Sequence, residues 1–169
     1  KVDELGGLKE LLTRLEEKRT ALAAYLNESD VDHLVVADVG DIMEGFENTA
    51  QQRTTNCLSL QDQVDCAATE FWKTIRLCES YAPVDVLSIP SNHCQWRKKK
   101  DLLGKPCDDW GIHISKRLEN LNNEAGLDVK FHRPASEWDE ALAFEVRGTK
   151  LGLAHGHQAA NPDKVKDWW

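Results

Sequence analysis

Val35-Val36-Ala37-Asp38-Val39-Gly40-Asp41-Ile42-Met43-Glu44-Gly45-Phe46-Glu47-Asn48 is the stretch whose reading decides the fold. A run of β-branched and small apolar residues stops at a glycine followed by an acid, the pattern of a buried strand that delivers a carboxylate to the rim of a sheet. Asp41 is therefore the first candidate for chemistry. Taken alone, Gly40-Asp41 is more simply a turn after a core strand. The downstream sequence is what favours a site.

Two further strand-like runs end in the same way. Val84 to Pro90 runs into Ser91-Asn92-His93, and Thr149 to Ala154 runs into His155-Gly156-His157. Three apolar runs, each ending in a metal-capable or proton-transferring side chain, point to one rim of one sheet, where open α/β folds place their sites.

Working outward, Lys1 to about Leu26 carries leucines at three- and four-residue steps between charged positions and reads as a helix covering the sheet. The strand should span His33 to Val39, followed by a loop from Gly45 to Gln52. A second helix is expected from about Leu58 to Tyr81, with Val64, Ala67, Ala68, Phe71, Ile75 and Cys78 on its apolar face and Pro83 ending it. Strand, helix, strand at these lengths predicts a crossover unit, so the Val84 strand should run parallel to the first. Cys94 to Trp110 reads as irregular, and a third helix follows from about Ile112 to Ala125, stopped by Gly126. Val129–His132, Ala141–Val146 and Thr149–Ala154 read as strands, the last two joined at Arg147-Gly148 as a hairpin. The fold class is α/β, with parallel strands early and antiparallel strands late.

The chain has 169 residues, 41% hydrophobic and 30% charged, which suits one globular domain with a real core. Nothing in it reads as membrane-spanning or as a secretory leader, and the expected compartment is the cytoplasm. A net charge of -8 argues against general affinity for nucleic-acid backbones, although a local basic patch or bound cations could supply one. Arg97-Lys98-Lys99-Lys100 is the only concentrated basic run, either solvated surface or a phosphate-steering patch. The five cysteines form no C-x-x-C pair and read as free structural thiols, with Cys94 left open.

Gly40-Asp41-x-x-Glu44, then Asn92-His93, then His155-Gly156-His157, each after a strand, resembles the calcineurin-like metallophosphoesterase superfamily, nearest its phage-type and DNA-repair-exonuclease-like branches. The order and spacing cover nearly the whole chain. The resemblance implies an α/β/β/α sandwich and a phosphoester hydrolase, foremost a phosphodiesterase or exonuclease-like nuclease, using water activated by two divalent ions (manganese, zinc or iron). A phosphomonoesterase of the same superfamily, or a metal-free scaffold keeping the fold, are the alternatives. It makes Asp41 the bridging ligand, Asn92 and His155 ligands of the second metal, and His93 the catalytic histidine. The family's G-N-H-D/E pattern stands here as Ser91-Asn92-His93-Cys94, and its opening D-x-H and closing G-H-x-H are missing. The chain is therefore expected to be the middle of a longer protein holding at most a partial metal site.

Three residues keep more than one reading. Glu44 shapes the loop or caps a helix more plausibly than it binds metal, Asn48 touches substrate or forms a turn, and His157 is a ligand, a partner behind the ligands or solvated, the middle role being preferred. Arg97 and Lys98 are the candidate phosphate contacts. His33, His113 and His132 are expected to be structural. Oligomeric state is not legible.

Overall fold

The computed structural model describes residues 7–46, 52–98 and 101–159, apart from the side chains of Arg53 and Thr55. Asn48, Lys99 and Lys100 lie outside the described residues. Helix α1 spans Gly7–Asn27, strand β1 Leu34–Asp38, helix α2 Gln52–Thr55, helix α3 Leu60–Glu79, and strand β2 Val84–Ser88. Strands β3 (Arg97–Lys98) and β4 (Asp101–Leu102) precede helix α4 (Trp110–Glu124), followed by β5 (Val129–His132), β6 (Ala141–Val146) and β7 (Thr149–Ala154).

β1, β2 and β5 form a parallel sheet with β2 in the middle. Every residue of β2 is buried, as a central strand covered on both faces must be. On one face Val84, Val86 and Val129 pack with Val64, Ala68 and Ile75 of α3 and with Ile114 and Leu118 of α4. α3 begins at Ser59, whose hydroxyl oxygen accepts the Asp62 N–H at 3.1 Å. α4 ends at Gly126, where φ is +66° and the Leu127 N–H reaches back to Asn122 O. α1 packs on α3. Its buried Arg19 donates to Glu16 and to Glu70 of α3, both at 2.6 Å.

The opposite face carries Asp85, whose carboxylate lies between His33 Nε2 at 2.7 Å and His132 Nε2 at 2.5 Å. Both imidazoles hold a carboxylate that β2 would otherwise bury unpaired. His132 also packs on Phe144 of β6, with ring centroids 4.8 Å apart.

Two expectations are corrected. β7 does not join the parallel sheet; it pairs antiparallel with β6 alone, through a turn at Arg147 and Gly148 with φ of +50° and +79°. That turn returns the chain immediately onto β6, so the shortest ladder takes all six pairs. The stretch from Cys94 to Trp110 is not wholly irregular, because β3 and β4 form a short antiparallel pair. Among the described residues no helix is long and apolar enough to cross a membrane.

Candidate functional site

The end of β1, the end of β2 and the end of β7 meet although they belong to two sheets. His155 Nε2 stands 3.0 Å from Asn92 Oδ1 and 3.3 Å from Asp41 Oδ2. His155 Nδ1 lies 2.9 Å from Val39 O, so this nitrogen carries the proton and donates it to the carbonyl. In the neutral ring the Nε2 lone pair then faces two oxygens. With that ring neutral, three electron-pair donors meet here, an arrangement that a cation or an added proton satisfies.

The donor set fits a cation in spacing and chemistry. Cis donors at about 2.1 Å from an octahedral ion stand about 3.0 Å apart, close to the distances found. Carboxylate, amide oxygen and imidazole together suit a transition ion such as manganese, zinc or iron better than calcium. Among the described residues no three His, Cys, Asp or Glu side chains group to hold a metal. The third donor here is the Asn92 amide.

The loops are held in unusual backbone conformations. Gly40 has φ +96° and Asp41 φ +56°, two successive left-handed residues that turn the chain sharply and aim the carboxylate across the strand ends. The Asp41 N–H donates to Ser91 Oγ at 2.8 Å, and Asp41 Oδ1 accepts the His93 N–H at 3.2 Å. A Cβ on Gly40 would lie 2.6 Å from both His155 Nδ1 and Ser91 Cβ. Gly40→Ala is therefore expected to lower the melting temperature, with a cost of about 1–3 kcal/mol, and to displace His155. Thermal unfolding and the His155 imidazole NMR resonances check both.

His93 sits at the edge of the cleft, its Nδ1 3.3 Å from Glu44 Oε2. Glu44 Oε1 in turn accepts from Gln52 Nε2 at 2.7 Å. Glu44 thus orients the imidazole through Nδ1. His157 lies behind His155, with centroids 5.4 Å apart and Arg97 3.5 Å from its Nε2. Burial, with His155 and Arg97 beside it, pushes His157 down to about 4, so its ring is neutral. Arg97 also donates to Gln95 Oε1 at 2.7 Å, and Lys98 is exposed. Cys94 is 1% exposed and burial pushes its thiol up to about 12, which makes it structural.

Sequence reasoning missed the groups beneath the cleft. Asp109 accepts the Ser91 N–H and the Ile112 N–H, both at 2.9 Å, so one buried carboxylate caps α4 and fixes the loop carrying Asn92. Asp38, also buried, accepts the Gly40 N–H at 3.0 Å, while its Oδ2 finds no partner among the described residues. An acid three positions before Ile112 was a readable cap signal. Asp38 inside an apolar strand was the other.

Burial pushes Asp38 up to about 6, with the Asp41 charge adding to the rise, and pushes Asp109 up to about 7, with the Asp38 charge adding to it. The fold therefore binds more protons than the unfolded chain between about pH 4 and 7, and stability from this pair falls as pH rises through that window. Asp38→Asn keeps an acceptor for Gly40 and removes the buried charge. It is expected to raise the melting temperature at pH 8 by several degrees, for a gain on the order of 1–3 kcal/mol, and to flatten the decline between about pH 4 and 7. Unchanged pH dependence in melting curves would contradict this.

No family model, curated protein or solved structure matches the chain.

Proposed function

We propose that this cleft belongs to a metal-dependent phosphoester hydrolase of the calcineurin-like type, acting on phosphodiesters in preference to monoesters, with nucleic acid among its substrates. The reading is carried by one observation, the meeting of Asp41 Oδ2 and Asn92 Oδ1 at His155 Nε2, the nitrogen left to accept once Nδ1 donates to Val39 O. It is supported by a parallel sheet and a separate antiparallel hairpin that together bring these strand ends to one place, compatible with an α/β/β/α sandwich.

In this reading Asp41, Asn92 and His155 hold a divalent ion. A bound ion neutralises phosphoryl oxygens and acidifies water, which are two of the three needs of diester hydrolysis. The third is a proton for the leaving alkoxide. His93 supplies it from Nε2, while Glu44 on Nδ1 stabilises the protonated ring and fixes its tilt. The Asn92 amide adds no negative charge, so the loaded site stays attractive to an anionic ester.

The test compares bis-p-nitrophenyl phosphate with p-nitrophenyl phosphate under manganese, zinc and iron, alongside elemental analysis of the protein. Faster metal-dependent cleavage of the diester is expected. Preference for the monoester would reassign the protein to phosphomonoesterases, and neither bound metal nor hydrolysis would leave a scaffold.

A further inference from the structure

A second cavity, of about 530 Å³, opens beside the cleft between the β3–β4 pair and the start of α4. That volume falls in the range of small-ligand pockets, about 300 to 1,000 Å³. Its walls are aromatic. Trp96 and Trp110 have ring centroids 6.1 Å apart with planes tilted by 47°, an open wedge. His113 packs edge-on against Trp110 at 5.7 Å and fixes that ring. Trp96 is 57% exposed and Leu103, opposite it across the ladder, 61%. A large indole left in water beside a concave wall has area to offer a flat partner.

Charge indicates which flat partner. Lys116 lines the same cavity. Lys98 follows Trp96 by two residues, and both lysines are exposed. The two acids at the cavity, Asp108 and Asp109, are turned onto backbone donors: Asp108 Oδ2 accepts the Lys105 N–H at 2.8 Å, and Asp109 accepts from Ser91 and Ile112. Indole faces interleaved with cations match a base-and-phosphate chain, which stacks its bases and pairs its backbone.

The cavity is joined to the cleft through the loop that carries Asn92 and His93. The Trp110 N–H donates to Cys94 O at 2.9 Å, the Trp96 N–H donates to Asp108 O at 3.3 Å, and Asp109 holds Ser91. We propose that Trp96 and Trp110, flanked by Lys98 and Lys116, form a base-stacking subsite for single-stranded polynucleotide that feeds the phosphoester cleft. Its place next to a scissile phosphate rests on the phosphodiesterase reading; its binding of bases does not.

The test measures binding of fluorescein-labelled dT and rU 12-mers to the full chain by anisotropy at low salt without added metal, in wild type, Trp96→Ala, Trp96→Phe and Lys116→Gln. Trp96→Ala should weaken binding about 10-fold or more and Trp96→Phe should restore most of it. Lys116→Gln should flatten the log–log salt slope by about 0.7. Equal effects on dT and rU mark stacking alone, and a larger effect on one strand type places a contact to the 2′-position or to the thymine methyl in the same subsite. Trp96 is exposed, so a melting curve like wild type is expected and excludes misfolding.

Absence of oligonucleotide binding by wild type, or equal affinity in Trp96→Ala, overturns the subsite even if the diester is cleaved. So does a Trp96→Ala effect confined to self-association in sedimentation, which would make the patch a protein interface. Trp96-dependent binding without diester hydrolysis would instead sink the phosphodiesterase reading and leave the subsite standing.

Discussion

Asp41→Asn is expected to lower metal-dependent diester hydrolysis by about 10³-fold or more, because it removes the one anionic donor among the three that converge. The fold should not suffer. Asparagine tolerates the left-handed φ of +56° better than aspartate does, and its Oδ1 can still accept the His93 N–H. Its amide N–H would meet the His155 lone pair that now faces an oxygen at 3.3 Å. The metal-free variant should therefore melt at or above the wild-type temperature, while the rise in melting temperature on adding manganese disappears. His93→Asn provides the contrast. It leaves the three donors in place, so metal should still raise the melting temperature, while kcat falls by about 10²- to 10⁴-fold. Equal loss of the metal response in both variants would contradict the division of roles.

That contrast depends on geometry that was only partly readable. The ends of β1 and β2 announced themselves because an apolar run closing on Gly-Asp or Asn-His is a local pattern, and the parallel pairing followed from the helix between them. The Arg147-Gly148 hairpin was legible for the same reason. β7 was placed in the wrong sheet because the residues of a strand state its alternation and not its partner. β3 and β4, two residues each and largely charged, give no alternation to read. His155 could thus be named as a candidate while its route to the cleft could not. Val39 and Ser91 were invisible for another reason: they act through a backbone carbonyl and a hydroxyl, and every residue carries the first while many loops carry the second.

Asp109 concentrates what the sequence hid, and its substitutions should separate folding from positioning. Asp109→Ala removes the cap of α4, costing about 0.5–2 kcal/mol, and leaves the buried Ser91 N–H unpaired at about 1–3 kcal/mol more. Relief of the charge shared with Asp38 offsets part of this. A net loss of roughly 1–4 kcal/mol should lower the melting temperature by about 2–16 °C. Asp109→Asn differs in one respect. Its Oδ1 can still accept the Ile112 N–H, so the cap survives, but its NH₂ would oppose the Ser91 N–H that Oδ2 now accepts at 2.9 Å. Two facing donors force the loop outwards. Since Ser91 Oγ holds the Asp41 N–H and Ser91 adjoins Asn92, the donors around His155 should separate. Asp109→Asn should therefore melt within a few degrees of wild type yet lose about 10- to 100-fold in metal affinity, the range seen when groups behind metal ligands are removed. Calorimetric manganese titration beside thermal unfolding reads the two effects independently. Wild-type metal affinity in Asp109→Asn would show that the carboxylate serves only the helix.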